Sequence, residues 1–170
     1  MEASKPVPCG ISIPQAFLEN ESINTNLVEL FCKGAEALNY ESLWVQEQFI
    51  GKTNSLEPIS LLSYVSAYTS TIRLGTAVLI LTTRNPVRLA KSLGTLDHLC
   101  SGRLTVGVAL GGRPQQYPLL GAPSERRVRH FVESLEVIKA LWTQNKAVYA
   151  GEFWTLDGER MEPKPIQKPH

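Results

Sequence analysis

Side chains able to do acid-base chemistry are sparse where this 170-residue chain would place a ligand. Glu47 is the only carboxylate at the end of an expected strand, where it can orient a substrate or act as acid or base. The same carboxylate would serve as well as a partner for a backbone N–H or a basic group. Its neighbour Gln48 can donate and accept hydrogen bonds but cannot move a proton near neutral pH. Gly107, Gly111 and Gly112 would let a backbone approach a flat ring or a phosphate closely. Their spacing, GVALGG, fits neither the dinucleotide GxGxxG nor the Walker GxxxxGK[ST], and a tight turn explains them equally well. Arg113, next in line, reads either as an anion contact or as an ordinary exposed loop arginine. His98 falls near a helix end, His130 reads as an exposed helical residue, and His170 is terminal. No His, Cys, Asp or Glu spacing suits a metal and there is no GxSxG elbow, which disfavours metalloenzyme and hydrolase readings.

The elements that must position these groups follow a repeated strand-helix rhythm. Its best-punctuated stretch, Ile72 to Gly112, is a βαβ unit: an apolar strand, a helix opened by Asn85-Pro86 and stopped at Gly102, and a second apolar strand. Before it, a strand over Gly10 to Gln15 stops at Pro14, and Asn24 or Asn26 caps a helix carrying Leu27, Leu30, Phe31, Ala35 and Leu38 inward to a stop at Asn39. A second strand spans Ser42 to Val45, and a helix from Pro58 buries Leu61, Leu62, Val65 and Tyr68. The third strand is Ile72 to Leu81, its helix buries Ala90, Leu93, Leu96 and Leu99, and the fourth strand is Leu104 to Leu110. Ser124 then caps a helix with Val128, Phe131, Leu135, Ile138 and Trp142 on one face. A hairpin around Gly151 and Asp157-Gly158 and a Pro-rich extended end complete the pattern.

Four strand-helix units in alternation imply a parallel sheet with right-handed crossovers. An open doubly wound sheet competes with part of an eight-stranded barrel, which needs about 250 residues when complete, so length favours the first. Either way, ligands sit at the carboxyl ends of the strands: Pro14 and Gln15, Gln46 to Phe49, Ala77 to Thr83, and Ala109 to Arg113. With 17 basic and 16 acidic residues the net charge is +1, which gives no electrostatic footprint for nucleic acid or an anionic membrane; Arg126 and Arg127 read as a solvated helix face. Cys9, Cys32 and Cys100 are odd in number and widely spaced, as expected of reduced thiols in the cytoplasm. The N-terminus has no apolar leader core, and no apolar run approaches the roughly 20 residues of a membrane span.

From Gly75 to Leu81 joined to TTRNPVR, and on through LDHLCSGRLTVGVALGG, the chain resembles the bacterial luciferase-like superfamily of flavin- and deazaflavin-dependent oxidoreductases. The ERRVRHFVESLEVIKALW helix and the GEFWTLDGERMEPKPIQKPH tail are most similar to its coenzyme F420-dependent branch. The resemblance covers essentially all of residues 1–170 and implies a single domain, the N-terminal half of a (β/α)8 TIM barrel. It places a bulge with a non-prolyl cis peptide at Ala77-Val78 behind an isoalloxazine-type ring, with Thr76, Ala77, Val78, Gly107, Ala109, Gly111 and Gly112 as cofactor contacts. Gln15 and Trp44 are then the expected substrate contacts, and Glu47 and Gln48 the catalytic pair. Relatives often carry a His where Gln48 stands and an aromatic residue where Arg113 stands.

The resemblance therefore implies hydride transfer between coenzyme F420 and a small organic substrate, with an FMN-dependent monooxygenase as the alternative enzyme. KPIQKPH would lead into a fifth strand. Two unpaired sheet edges make a homodimer the expected assembly, and a non-catalytic half-barrel that persists by dimerising is the alternative from outside enzymology.

Overall fold

The structure, a computed structural model, describes residues 7–168. Residues 1–6, part of the N-terminal stretch read for a leader, and residues 169 and 170, the end of the segment expected to lead into a fifth strand, lie outside the described residues. The chain runs β1 (Gly10–Ser12), β2 (Ala16–Phe17), α1 (Thr25–Ala37), β3 (Ser42–Val45), β4 (Asn54–Ser55), α2 (Pro58–Ser66), β5 (Arg73–Ile80), α3 (Pro86–Leu99), β6 (Leu104–Ala109), α4 (Arg127–Thr143), β7 (Ala147–Ala150) and β8 (Thr155–Glu159). Four parallel strands form the main sheet in the order β1-β3-β5-β6. Each new strand is added beside the last, with no reversal of direction across the sheet. A doubly wound sheet needs such a reversal and a barrel does not, so the strand order alone removes the open-sheet alternative.

The core lies between this sheet and the helices. Leu43, Val45, Leu74 and Leu79 pack with Val28, Cys32, Leu62, Val65, Leu93 and Leu96. Trp44 alternates to the opposite face, where its indole lies across Gly10 and Gly75. A Cβ on either glycine would overlap that ring, so this contact requires two residues without side chains.

Local signals act largely as the residue types dictate. Asn24 accepts the Leu27 N–H at 2.9 Å, Asn39 turns out of α1 at φ 61°, and Asn85 accepts from Val87 and Arg88 at 3.1 Å ahead of Pro86. Gly102 closes α3 at φ 74°, donating to the Asp97 carbonyl at 2.8 Å.

Five sequence expectations are corrected. In α1 the buried stripe is Val28, Cys32 and Ala35, whose small side chains bring the helix close to the sheet, while Leu27, Leu30 and Leu38 face solvent. Leu99 and Val128 are likewise exposed, their helices burying Asp97 and Cys100, and Ser134 and Val137, instead. Ser124 does not cap α4; the chain enters through Arg126 at φ 53°, which leaves the serine outside the first turn. The hairpin of β7 and β8 turns at residues 151–154, and Gly158, at φ 95°, is the extra residue of a bulge within β8. His130 is buried, because this hairpin folds over α4 and sets Phe153 and Trp154 5.0 and 5.5 Å from its ring. Its Nδ1 has no hydrogen-bond partner among the described residues, and burial pushes its pKa down.

The tail runs back beneath the sheet. Asp97, buried in α3, accepts the N–H groups of Ile166 and Gln167 at 2.7 and 3.1 Å, and the Gln167 amide bridges Asp97 to the Leu104 carbonyl. Lys164 caps the end of α4 through the Leu141 and Gln144 carbonyls, and His98 Nε2 meets the Lys164 carbonyl at 2.7 Å. Beside β6 an apolar groove of about 340 Å³ remains, lined by Val106, Val108, Leu135, Ile138 and Trp142.

Candidate functional site

The carboxyl ends of β3, β5 and β6 open into a cleft of about 320 Å³. Glu47, Gln48, Phe49 and Ile50 line it after β3, Ile80 and Thr83 at the exit of β5, and Gly111, Gly112 and Arg113 after β6. Gln116, Tyr117 and Leu120 close the far side.

Strand β5 is the irregular wall. Its register with β6 shifts between Thr76 and Leu79, so two residues of β5, Ala77 and Val78, stand opposite Gly107 alone. The Ala77-Val78 peptide is cis, and both residues are exposed, Val78 to 36%. Thr76, 1% exposed, ties the bulge down: its hydroxyl accepts the Gly107 N–H at 3.0 Å and donates to the Gly107 carbonyl at 2.9 Å. A Cβ on Gly107 would overlap the Thr76 carbonyl oxygen, so the close approach requires glycine.

The β6 exit is held with equal economy. Gly111 sits at φ 83°, and a Cβ there would run into the Ile80 side chain. The Thr82 hydroxyl donates to the Leu110 carbonyl at 2.8 Å, and the Tyr117 hydroxyl donates to the same carbonyl. Arg127 stacks over the Tyr117 ring at 5.4 Å.

Glu47 is the most constrained polar group of the site, its side chain 1% exposed. Its Oε2 accepts the Ile80 N–H at 2.5 Å, and its Oε1 is gripped by Arg84 through Nε at 2.8 Å and through Nη2. Arg84 reaches Glu57 as well, at 2.7 Å, and lies 5.3 Å over the Phe49 ring. Burial pushes the Glu47 carboxyl above its ordinary range, against the opposing pull of Arg84 and the Ile80 N–H. Burial acts downward on Arg84, but the two glutamates overcome it and hold its pKa above the usual value.

Gln48 differs from its neighbour. It is exposed, lines the cleft and has no hydrogen-bond partner among the described residues. Gln15 is 8% exposed, and its amide bonds the Gln46 carbonyl at 2.7 Å, the Gln46 N–H at 2.6 Å and the Leu56 carbonyl at 3.0 Å. The Trp44 indole N–H donates to Ser42 at 2.9 Å. Of the residues singled out in the sequence, the cleft thus gathers Glu47, Gln48, Gly111, Gly112 and Arg113. Thr76, Ala77, Val78, Gly107 and Ala109 form the adjoining β5–β6 wall, and Gln15 and Trp44 stand farther back, on the β1–β3 side. Arg84 and Tyr117 escaped the sequence reading as site residues, while Thr82 fell within the strand-end stretch Ala77 to Thr83. For Arg84 the available signal was a basic residue between a strand end and a helix cap, where a buried carboxylate would need it.

Over residues 16–170 the chain matches the family described as luciferase-like monooxygenase. It is 45% identical over 116 residues to an uncharacterized protein of Mycobacterium tuberculosis, covering 68% of this chain and 41% of that one. Among solved structures, an F420-dependent secondary alcohol dehydrogenase in complex with an F420-acetone adduct superimposes with a TM-score of 0.78 at 20% identity, over 95% of this chain and 50% of that one. The oxygenating constituent of 3,6-diketocamphane monooxygenase from Pseudomonas putida, in complex with FMN, gives 0.77 at 19% identity, over 93% and 46%. At these identities the shared property is the fold, a (β/α)8 barrel of which this chain forms part. The chain spans about half the length, or less, of these proteins. With its βαβ rhythm, sequential strand order and bulged third parallel strand, it belongs to the luciferase-like monooxygenase family.

Proposed function

We propose that this chain rests a flavin-type ring against the Ala77-Val78 turn and serves an oxidoreductase passing a hydride between coenzyme F420 and a small organic substrate. The observation carrying the proposal is the bulge of β5, an exposed stretch of backbone beside a cleft, flanked by a glycine that tolerates no side chain. The fit to a planar ring is steric: Ala77, Val78 and Gly107 offer a surface with little side-chain relief, and Gly111 keeps the β6 exit equally low. When bound, the ring supplies the hydride chemistry, and the protein contributes placement and exclusion of water.

This chain's own residues divide that work. Thr76, Gly107 and Ala109 hold the wall, Gly111 and Gly112 bound the floor, and Gln48 offers an uncommitted amide to a ring edge or substrate polar group. Trp44 and Gln15 shape the substrate side. The Glu47 carboxylate is already engaged by Arg84 and Ile80, so proton transfer through it requires that network to open. Cytoplasmic location and a homodimer complete the proposal; among the described residues no helix is long and apolar enough to cross a membrane.

Anaerobic titration of the full chain with oxidised and reduced F420, and separately with FMN, tests this reading. Saturable F420 binding with weaker FMN binding is the expected result, and binding of neither overturns it for this polypeptide. A second reading, an FMN-dependent monooxygenase, is favoured by the likeness to the FMN-bound Pseudomonas putida enzyme. FMN binding without F420 binding, with oxygen-dependent turnover, selects it.

A further inference from the structure

We infer that Glu47 and Arg84 are a positioning pair, fixing where the Ala77-Val78 turn stands in the cleft and acting on a bound ring through β5. The functional part of this inference rests on the ring-binding reading proposed above. The ladder between β3 and β5 ends at Val45 opposite Thr76. The ladder between β5 and β6 breaks between Thr76 and Leu79. Ala77 and Val78 therefore have no ladder partner on either side, and the shape of the turn depends on what holds its two ends.

Beyond the backbone pairs Thr76–Val106 and Leu79–Val108 that flank the turn, each end is also held by a side chain, from opposite neighbours. Upstream, the Thr76 hydroxyl spans to both backbone groups of Gly107 on β6. Downstream, on the side facing β3, the Ile80 N–H goes to the Glu47 carboxylate at 2.5 Å. Glu47 thus takes the place of a strand that β3 is too short to supply. A carboxylate on a free side chain would be a loose clamp, and Arg84 stiffens it. One guanidinium holds Glu47 Oε1 and, 2.7 Å away on its other side, Glu57. Glu57 in turn caps α2 by accepting the Ser60 N–H at 2.7 Å. The exit of β5 is thereby fastened to the start of α2 through a continuous path of charge-assisted bonds. With its side chain 1% exposed and both carboxylate oxygens engaged, Glu47 is placed to act through β5, unlike the exposed Gln48 beside it.

The test uses the full chain with Glu47→Gln, Arg84→Lys and, as a control, Glu36→Gln, which alters a carboxylate at the other end of β5. Amide exchange by NMR reads the turn without cofactor, and FMN fluorescence quenching and the visible circular dichroism of bound FMN read it with cofactor. Glu47→Gln and Arg84→Lys should speed exchange of the Leu79 and Ile80 amides at least tenfold while sparing Leu74 and Gly75. They should also weaken FMN binding about tenfold and change the sign or amplitude of the dichroism. Glu36→Gln should leave FMN affinity and dichroism unchanged. Wild-type exchange at Leu79 and Ile80 in the two exit variants overturns the inference. So does accelerated exchange with wild-type FMN affinity and dichroism, which would make the pair merely structural. If the wild-type chain binds neither FMN nor F420, the ring-binding reading fails, and the exchange data still decide whether the pair sets the turn. Arg84→Lys retains a cation and guards against a Glu47 variant that does not fold.

Discussion

At its entrance β5 is held by Glu36 of α1, whose Oε1 accepts the N–H groups of Ser70, Thr71 and Ile72 at 2.9, 2.6 and 2.9 Å. At its exit the strand is held by Glu47, which takes one N–H, from Ile80, and gives its other oxygen to Arg84. Both carboxylates do the work of a missing strand partner, yet their electrostatics differ. Burial is the largest single influence on Glu36 and acts upward, but the three converging N–H groups and the Thr71 hydroxyl together outweigh it and bring the pKa down to about 2. Glu47 has one such dipole and far more burial, so its carboxyl moves upward and its charge is kept by an arginine. Backbone dipoles suffice at the solvated bottom of the barrel. At the top, where a ligand must find a dry wall, a second charged side chain is needed, and it ties the strand to α2 as well.

Removing that side chain should have the largest effect. Arg84→Met leaves Glu47 buried without its counter-ion, and breaking a buried pair in this way costs about 3 to 5 kcal/mol. Urea unfolding should show a loss of that order; a loss below about 1 kcal/mol would make the two ends of β5 equivalent. Gly107→Ala comes next. Its new Cβ meets backbone at the Thr76 carbonyl, which cannot swing away as a flexible side chain would. Overpacking of this kind costs about 1 to 3 kcal/mol, and FMN affinity should fall with stability because the same wall is displaced.

What was legible in the sequence follows the same division between local and distant causes. Ser42–Val45 was readable to the residue, as were the Asn85-Pro86 start, the Asn39 turn and the Gly102 stop, because each is decided by its own side chain and backbone. The bulge at Ala77-Val78 came from resemblance; nothing in the composition of GTAV demands it. The Glu47–Arg84 pair spans 37 positions and depends on a fold that brings the β3 and β5 exits together, so the sequence offered Glu47 only as a lone carboxylate. His130 was misread, and the hairpin's turn was left divided between Gly151 and Asp157-Gly158, for one reason. Glu133 of α4 accepts the Glu152 and Phe153 N–H groups at 2.9 and 2.8 Å, and this distant contact, rather than the Asp157-Gly158 pair, sets the hairpin's turn and covers the histidine.

Glu36→Gln addresses the lower end with a smaller effect. The glutamine oxygen still accepts N–H groups but loses the charge, so about 1 kcal/mol should be lost at neutral pH after allowing for solvent screening. The sign with pH is fixed by a folded pKa of about 2 lying below the ordinary 4.5. The advantage of the wild type is full above about pH 4.5 and shrinks as pH falls toward about 2, where both forms present a neutral side chain. Denaturation midpoints of wild type and variant should therefore converge on acidification. A gap that stays constant from pH 7 to pH 2.5 would show that the carboxylate charge contributes nothing at the entrance.

The smallest expected change isolates the two ends most cleanly. Gly34 sits inside α1 two residues before Glu36, and a Cβ there meets nothing within 4 Å. Gly34→Ala should therefore stabilise the helix that carries the entrance carboxylate by about 0.5 to 1 kcal/mol. The hydrogen bonds from α1 toward β5 run through Glu36, on the far side of Leu74 and Gly75 from the bulge. Global stability should rise while exchange at the Leu79 and Ile80 amides, measured relative to global unfolding, stays where it was. If exchange at the exit slows in proportion, β5 transmits restraint along its length, and the Ala77-Val78 turn is set by the strand as a whole rather than by the clamps at its ends.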